Sequence, residues 1–170
     1  SPDAKTVVLG VNNEVITDED FVFSNASCTT NCLAPMAKVI NDNFVIKSGY
    51  ITTTHAFTAD QSLQDMPHKD LRRARSAMNS IIPTKTGAAS AVGKVLPSLN
   101  GKLDGIALRV PVACGSITDF VCVTEKETTV EEVNNLLQAA SNTSMQGILA
   151  VSSEPLVSID IVGRKESSII

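Results

Sequence analysis

SNASCTTNCLAP, residues 24–35, is the stretch on which the fold of this chain depends. Its Asn, Ser and Thr side chains carry oxygens that can accept hydrogen bonds from the free N–H groups at a helix start. We therefore expect a helix from Cys28 to about Asp42, although Pro35 should kink it or weaken its first turns. The apolar residues of this helix share one face: Leu33, Met36, Ala37 and Ile40.

Strands and helices alternate along the rest of the chain. Runs of β-branched and apolar residues predict strands at 6–11, 50–54, 106–110, 116–124 and 157–162. Helices are predicted at 87–96 and 130–140, and a capping box of Thr129 and Glu132 opens the second. No glycine-rich phosphate turn joins a strand to a helix, so the pattern indicates a mixed sheet with helices on one face. Residues 56–85 have no clean period, and a loop of such length is usually functional.

The composition is that of one globular domain with a hydrophobic core. The chain has 170 residues, of which 43% are hydrophobic and 19% charged, with a net charge of −4. No apolar run approaches the ~18 residues of a membrane span, and the only basic patch is short, so neither a membrane nor a nucleic acid is an expected partner. The cysteines at 28, 32, 114 and 122 fit neither a CxxC pair nor a zinc pattern. We expect free thiols in a reducing cytoplasm and no bound metal.

Cys28 and His55 are the candidate catalytic residues. A thiol at a helix N-terminus faces the positive end of the helix dipole, which favours the thiolate, and the free N–H groups there can hold an oxyanion or a phosphate. His55 follows the predicted strand at 50–54, and an imidazole is the usual acid/base partner of a nucleophilic thiol. Taken alone, the local sequence leaves a buried, inert cysteine equally open, and a lone histidine is more often structural. The other three cysteines are expected only to pack.

The sequence contains several features that commonly bind anions: hydroxyl side chains, predicted helix starts and an arginine. Each hydroxyl could instead be an ordinary helix cap, and the arginine could form a surface ion pair. Because backbone N–H groups at helix starts and guanidinium groups both bind phosphate, their convergence indicates a small phosphorylated ligand. The residues concerned are Ser27, Thr29, Thr58, Thr86, Gly87 and Arg109.

SNASCTTNCLAP also resembles the active-site signature of the glyceraldehyde-3-phosphate dehydrogenases, which is long and highly specific. The resemblance continues over nearly the whole chain. Its further segments are KVINDNF (38–44), TTTHAFTADQ (52–61), PHKDLRRAR (67–75), IIPTKTGAASAVGKVLPSLNGKLDG (81–105), LRVPV (108–112), EEVNNLLQAA (131–140) and EPLVSIDI (154–161). It implies an α+β catalytic domain with a mixed, largely antiparallel sheet, preceded by the tail of a Rossmann domain.

The resemblance implies a reaction, the phosphorylating oxidation of glyceraldehyde 3-phosphate to 1,3-bisphosphoglycerate in glycolysis or gluconeogenesis. Cys28 would attack the aldehyde to give a thiohemiacetal, and His55 would act as base while hydride passes to NAD and a thioester forms. Inorganic phosphate would then cleave the thioester. The residues that resemble the family's binding site for that phosphate are Ser27, Thr29, Thr86 and Gly87. Thr58 and Arg109 resemble the residues that bind the substrate's C3 phosphate in the family. Arg73 resembles an arginine that lines the same region.

The cofactor and the assembly are implied by the same resemblance. Residues 57–79 resemble the family's S-shaped loop, which reaches towards the cofactor of a neighbouring subunit. Met66 and Pro67 lie where NAD-linked members carry an apolar residue and a proline, so NAD is favoured over NADP. A homotetramer in the cytoplasm is therefore expected.

The sequence departs from the family pattern at both ends. No GxGxxG fingerprint occurs, and residues 1–24 resemble only the C-terminal remnant of the dinucleotide-binding domain. Residues 25–170 resemble the catalytic domain, which stops at SSII before the family's last strands. We interpret the sequence as a fragment and expect the isolated polypeptide to lack dehydrogenase activity.

Three other functions are open at this point. Erythrose-4-phosphate dehydrogenase has the same Cys and His, although its members usually lack the TGAA stretch that is intact at 86–89. A non-catalytic use of the domain, as a redox sensor or an adhesin, is the second, because an accessible thiolate is also easily oxidised. A generic thiol hydrolase would need an Asp or Asn to orient His55, and spacing identifies none.

Overall fold

The computed structural model describes residues 4–170, so the first three residues of the predicted 1–24 remnant lie outside it. The α-helices of this range are α1 (Cys28–Phe44), α2 (Ala88–Val95) and α3 (Val130–Asn142). Its strands are β1 (Lys5–Thr6), β2 (Phe23–Ser24), β3 (Ile46–Ala56), β4 (Ile82–Lys85), β5 (Leu103–Val110), β6 (Ser116–Thr124), β7 (Leu149–Ala150) and β8 (Ser168–Ile169). Short 3-10 helices lie at Asn13–Val15 and Pro97–Leu99.

Four of the strands form one mixed sheet in the order β4-β5-β3-β6. β3 and β5 run parallel, with a register that extends from Gly49 opposite Leu103 to Ala56 opposite Val110. β6 pairs antiparallel with β3, and β4 pairs antiparallel with β5. Two of the three pairings are antiparallel, which confirms the predicted α+β class with a mixed, largely antiparallel sheet.

The helices lie on one face of this sheet, as the sequence predicted. Leu33 and Ala37 of α1 have no exposed surface, and they share a core with Ile51 of β3 and Val92 of α2. α3 lies outside α1 and packs on it through a second apolar cluster, Val39, Leu137, Ala140, Met145 and Leu149. Each fully buried large apolar side chain contributes ~1.5–3 kcal/mol, so these contacts hold the helical layer on the sheet.

The opposite face of the sheet carries apolar side chains that the described chain does not cover. Burial alternates along β6, and Phe120 packs towards the helices. The intervening residues Ile117, Val121 and Val123 are 61%, 64% and 58% exposed. Tyr50 of β3 lies opposite Val121 and is exposed as well. Apolar side chains exposed on one sheet face indicate an interaction surface, here with Asp119 between Ile117 and Val121.

The strand predicted at 6–11 is wrong beyond Thr6. The Asn12 side chain accepts from the N–H of Val8 at 2.8 Å and donates to the carbonyl of Thr6 at 2.9 Å, so it takes the bonds that a strand partner would make. The chain then turns at Gly10, whose φ is +76°. Val8 and Val11 are buried in the same core as α1 and α2. The domain boundary after residue 24 stays a prediction.

The strand predicted at 157–162 is also wrong, because these residues form turns. The Asp160 carboxylate accepts from the N–H of Val157 at 2.7 Å, and the N–H of Asp160 donates back to the carbonyl of Val157 at 2.9 Å. This local bonding competes with a strand ladder. Ile159 and Val162 remain exposed.

The other elements agree with the sequence, with shifted ends. The strand at 116–124 and the capping box of α3 are confirmed, and the Glu132 N–H donates to the Thr129 hydroxyl at 3.2 Å. α1 continues as one helix through Pro35. β3 is longer than expected and includes His55 as its penultimate residue. β4 lies within the stretch predicted as irregular, and the two-residue strands β7 and β8 were not predicted.

Val45 provides a test of backbone strain. It ends α1 with φ +58°, a left-handed conformation that a β-branched residue adopts at a cost. Val45→Gly should therefore stabilise the chain by about 1 kcal/mol, although part of a half-buried side chain is lost. Urea unfolding measures the change. Val123→Gly, on the open face of β6, is the matched control and should destabilise; an equal loss in both variants would contradict the strain at Val45.

Candidate active site

The parallel pairing of β3 and β5 fixes the centre of the candidate site. His55 lies directly opposite Arg109, and both side chains are on the face that carries the helices. Parallel strands end at the same edge of a sheet, so the carboxyl ends of β3 and β5 bring the imidazole and the guanidinium together. α1 begins at Cys28 over this edge.

The start of α1 is built to present Cys28 with free donors around it. Ala26 turns the chain with φ +53°, and Ser27 caps the helix by accepting from the N–H of Thr30 at 3.1 Å. The Asn31 amide donates to the carbonyl of Ser27 at 2.9 Å and braces this turn. Within residues 4–170, the N–H groups of Cys28 and Thr29 have no hydrogen-bond acceptor. They are available to an oxyanion, and the helix dipole favours negative charge there.

Cys28 and His55 are in direct contact. Sγ of Cys28 lies 3.2 Å from Nε2 of His55, and the thiol is exposed. Cys32, one turn further along α1, is different: burial is the main cause that raises the pKa of its thiol. Burial also raises the pKa of Cys122. Only Cys28 therefore combines access with an imidazole partner in the described part of the chain.

Arg109 reaches the other nitrogen of the imidazole. Its Nη1 lies 2.7 Å from Nδ1 of His55 and donates to the carbonyl of Ala56 at 2.9 Å. Nδ1 is also 2.8 Å from that carbonyl oxygen. Thiol, imidazole and guanidinium thus form a continuous chain of contacts.

These groups line a cleft of about 420 Å³ that suits an anion. Its cationic side chains are Lys85, Lys94 and Arg109, and none of its lining residues within 4–170 carries a carboxylate. The cleft brings together seven of the predicted residues: Ser27, Cys28, Thr29, His55, Thr86, Gly87 and Arg109. The Thr86 hydroxyl accepts from the N–H of Ala88 at 3.2 Å at the start of α2.

Sequence reasoning missed the two lysines. Lys85 follows Thr84 at the end of β4, and Lys94 lies in the last turn of α2. A signal was present for Lys85, since it lies between two threonines directly before a predicted helix start. The position of Lys94 carried no signal, because a basic residue in a last helical turn is common.

Thr58 and Arg73 do not line the cleft; they meet beside it at Asp60, which sequence reasoning also missed. The Asp60 carboxylate accepts hydrogen bonds from Thr58 Oγ1 and from Arg73 Nη1. Arg73 also donates to the Thr84 hydroxyl, at 2.6 and 3.0 Å. The hydrogen bond from Thr58 is the main cause that lowers the pKa of Asp60, and Arg73 and Arg109 add to it.

Met66 and Pro67 lie apart from the cleft. The loop folds back on itself, because the N–H of Met66 donates to the carbonyl of Ala74 at 2.9 Å and Asp65 binds Arg75 at 3.1 Å. The Met66 side chain is 60% exposed. Neither of the two cavities described here that Cys28 borders includes Met66 or Pro67 in its lining.

Cys28 also borders a second cavity, of about 520 Å³, on the side away from Arg109. Leu156, Ile161 and the end of the chain at 168–170 contribute to its lining, which is more apolar than that of the cleft. The thiol is therefore accessible both from a cationic cleft and from an apolar cavity.

Residues 4–170 contain neither a cluster of metal ligands nor a helix that could span a membrane. No group of three or more His, Cys, Asp and Glu side chains in that range is placed to hold a metal ion. None of the helices described there is both long and apolar enough to cross a membrane.

Comparison with known proteins gives consistent matches. The family model described as "Glyceraldehyde 3-phosphate dehydrogenase, C-terminal domain" matches residues 27–170. A glyceraldehyde-3-phosphate dehydrogenase of Mycolicibacterium smegmatis is 54% identical over 164 residues, 96% of this chain and 48% of the relative. The Borreliella burgdorferi protein of that name is 55% identical over 98% of this chain and 50% of its own length. Glyceraldehyde-3-phosphate dehydrogenase 1 of Bacillus cereus is 57% identical over 97% and 50%.

The chain spans about half the length of the curated relatives it matches. The matched family model covers the helix that carries Cys28, the sheet that carries His55 and Arg109, and everything after them. The resemblance seen in the sequence is thereby confirmed, and the chain belongs to the glyceraldehyde-3-phosphate dehydrogenase family, in which it corresponds to the C-terminal domain.

Proposed function

We propose that this chain is the catalytic domain of an enzyme that oxidises and phosphorylates glyceraldehyde 3-phosphate to 1,3-bisphosphoglycerate, with NAD as cofactor, in glycolysis or gluconeogenesis. One observation carries the proposal. The Sγ of Cys28, 3.2 Å from Nε2 of His55, opens on a cleft that has three cationic side chains and no carboxylate among its described lining residues. A nucleophilic thiol beside an anion site fits a phosphorylated aldehyde.

The acyl chemistry follows from the residues around the thiol. The Cys28 thiolate adds to the aldehyde carbon, and the oxyanion that forms lies within reach of the N–H groups of Cys28 and Thr29. Protonation of that oxyanion gives a thiohemiacetal. His55 then takes the hydroxyl proton at Nε2 as the carbon is oxidised to a thioester. Attack by inorganic phosphate breaks the C–S bond and releases the acyl phosphate, which returns the thiolate.

Two anion subsites are part of the proposal. The attacking phosphate would bind where the starts of α1 and α2 face the same cleft, at Ser27, Thr29, Thr86 and Gly87. The C3 phosphate of the substrate would bind at Arg109, with Thr58 and Arg73 from the neighbouring cluster. The lysines of the cleft add positive charge to both.

The described residues fit NAD only in part. The second cavity beside Cys28 has room for a flat ring, and Glu154 and Glu166 in its lining suit the positive charge of an oxidised nicotinamide. No described residues form a glycine-rich turn for a pyrophosphate. When bound, NAD supplies the acceptor for the hydride. We therefore assign to residues 4–170 the thiol, proton and phosphate chemistry. Met66 and Pro67 are proposed to reach the cofactor of a neighbouring subunit.

A homotetramer in the cytoplasm is proposed for the whole protein. The open apolar face at Ile117, Val121 and Val123 supports association, since water-exposed patches of this kind are usually covered in an assembly. All four cysteines are free thiols, which fits a reducing compartment.

The nucleophile can be tested in the full-length protein that contains this chain. Cys28→Ser should lower kcat by at least about a thousandfold, because a hydroxyl cannot replace the thiolate. His55→Asn should lower it about a hundredfold or more, since the base is lost. Cys114→Ser is the matched control, another exposed cysteine but one outside the cleft, and should retain activity. Wild-type turnover that is faster with erythrose 4-phosphate would support the sister enzyme instead.

Lys85 offers a test of the cationic cleft. Lys85→Gln should raise the KM for inorganic phosphate about two- to fivefold with little change in kcat, because an exposed charge contributes modestly and is screened by salt. Lys47→Gln, at the opposite end of β3, is the control. Steady-state kinetics at two ionic strengths measures the effect, and equal changes in both variants would show that Lys85 does not face the anion.

The cofactor preference can be measured separately. The whole protein should use NAD in preference to NADP, and replacing Met66 and Pro67 by small polar residues should reduce that preference by roughly tenfold. Met78→Thr changes another exposed methionine of the same region and should leave it unaltered. Equal kcat/KM values for the two cofactors in the wild type would contradict the role given to this dipeptide.

A further inference from the structure

We propose that Arg109 is a positioning residue that keeps His55 in the wrong tautomer for base catalysis until a phosphate group draws the guanidinium away. The inference rests on the proposed function and deepens it. It assigns to the substrate's terminal phosphate a second effect, the preparation of the base.

The contacts of Nδ1 determine which nitrogen of the imidazole carries the hydrogen. A guanidinium can only donate hydrogen bonds, so the 2.7 Å contact from Arg109 Nη1 requires that Nδ1 of His55 be an acceptor. A neutral imidazole with an acceptor at Nδ1 carries its hydrogen on Nε2, the nitrogen that faces Sγ of Cys28 at 3.2 Å. In this state Nε2 has no lone pair with which to take a proton from a thiohemiacetal.

The carbonyl of Ala56 provides the alternative state. Its oxygen lies 2.8 Å from Nδ1, but both atoms are acceptors while Arg109 bridges them through its two Nη1 hydrogens. If the guanidinium leaves, the two acceptor atoms face each other without a donor. The contact is then favourable only if Nδ1 carries the hydrogen and donates it to the carbonyl oxygen. The hydrogen then leaves Nε2, and Nε2 becomes the base. The imidazole need not move.

The surroundings indicate what can draw Arg109 away. The titratable and charged groups that face His55 are Cys28 from α1, Arg109 from β5, and the cleft lysines from β4 and α2, while its neighbour on β6 is the uncharged Ser116. No carboxylate among the described lining residues competes for the guanidinium inside the cleft. A phosphate dianion offers far stronger hydrogen bonds to Arg109 than a neutral imidazole nitrogen does. Binding energy from a part of the substrate that does not react is thus used to raise kcat.

The test compares an aldehyde with and without its phosphate in the full-length enzyme. Arg109→Leu removes both the phosphate ligand and the donor to Nδ1, so it should raise kcat with unphosphorylated glyceraldehyde about tenfold or more while KM for glyceraldehyde 3-phosphate rises steeply. Arg75→Leu is the matched control, since it removes a guanidinium that binds Asp65 outside the cleft, and it should leave glyceraldehyde turnover unchanged. If Arg109 only binds phosphate, Arg109→Leu should not raise glyceraldehyde turnover. That result would overturn the proposal.

A second measurement uses the wild type and does not depend on the folding of a variant. Nitrogen-15 solid-state spectra of histidine-labelled protein distinguish a protonated from an unprotonated Nδ1. His68, whose Nδ1 accepts from the N–H of Asp70 at 2.9 Å, is an internal reference. The His55 hydrogen should lie on Nε2 without anions and on Nδ1 with saturating sulfate. An unchanged spectrum sinks the inference, whereas a wild type that does not oxidise glyceraldehyde 3-phosphate sinks the proposed function instead.

A third experiment distinguishes the substrate's own phosphate from inorganic phosphate as the group that binds Arg109. Inorganic phosphate and glyceraldehyde 3-phosphate both present a phosphate dianion, but the latter is proposed to bind more tightly at Arg109. The Nδ1 signal should therefore respond to glycerol 3-phosphate, which has no aldehyde, at lower concentrations than to inorganic phosphate. A reversed order would overturn the assignment of Arg109 to the substrate's own phosphate.

Discussion

The pairing of His55 with Arg109 across two parallel strands is the contact on which the rest of the site depends. The register of the two strands places both side chains on the helical face and at the same edge of the sheet. There Sγ of Cys28 lies 3.2 Å from Nε2 of His55, and Nδ1 of His55 lies 2.7 Å from Nη1 of Arg109. A slip of one residue between β3 and β5 would turn one of the two to the open face. Chemistry here therefore depends on sheet register, which the buried Ile51 and Ala107 help to fix.

The thiol end of this chain of contacts depends on the core beneath α1. A helix start can hold a reactive group only if the helix itself does not move, and α1 is anchored by side chains without exposed surface at Leu33 and Ala37. The positive φ at Ala26 and the cap at Ser27 then orient the first turn. Packing far from Cys28 thus maintains the 3.2 Å contact with His55.

Local patterns made the fold and part of the site predictable, and long-range pairing decided the rest. The cap before Cys28, the box at Thr129 and the alternation at 116–124 are short-range signals, and each element they indicate is present. The strands expected at 6–11 and 157–162 failed where Asn12 and Asp160 bind the backbone, an effect that apolar periodicity does not register. Asp60 was missed because its position follows from how the loop before β4 folds, and Lys94 because its position follows from how α2 packs over the sheet.

The arginine and threonine side chains near the thiol already have hydrogen-bond partners within residues 4–170, unlike the N–H groups of Cys28 and Thr29. Arg109 donates to His55 and Ala56, and Thr58 and Arg73 donate to the carboxylate of Asp60 and lower its pKa. The Thr58 hydroxyl has one hydrogen, so it serves Asp60 or a phosphate but not both. A ligand must therefore outcompete an internal partner at each of these donors. A dianion can do this and a neutral hydroxyl cannot, so the proposed selectivity for a phosphorylated substrate would arise from hydrogen bonds that these residues already make with one another.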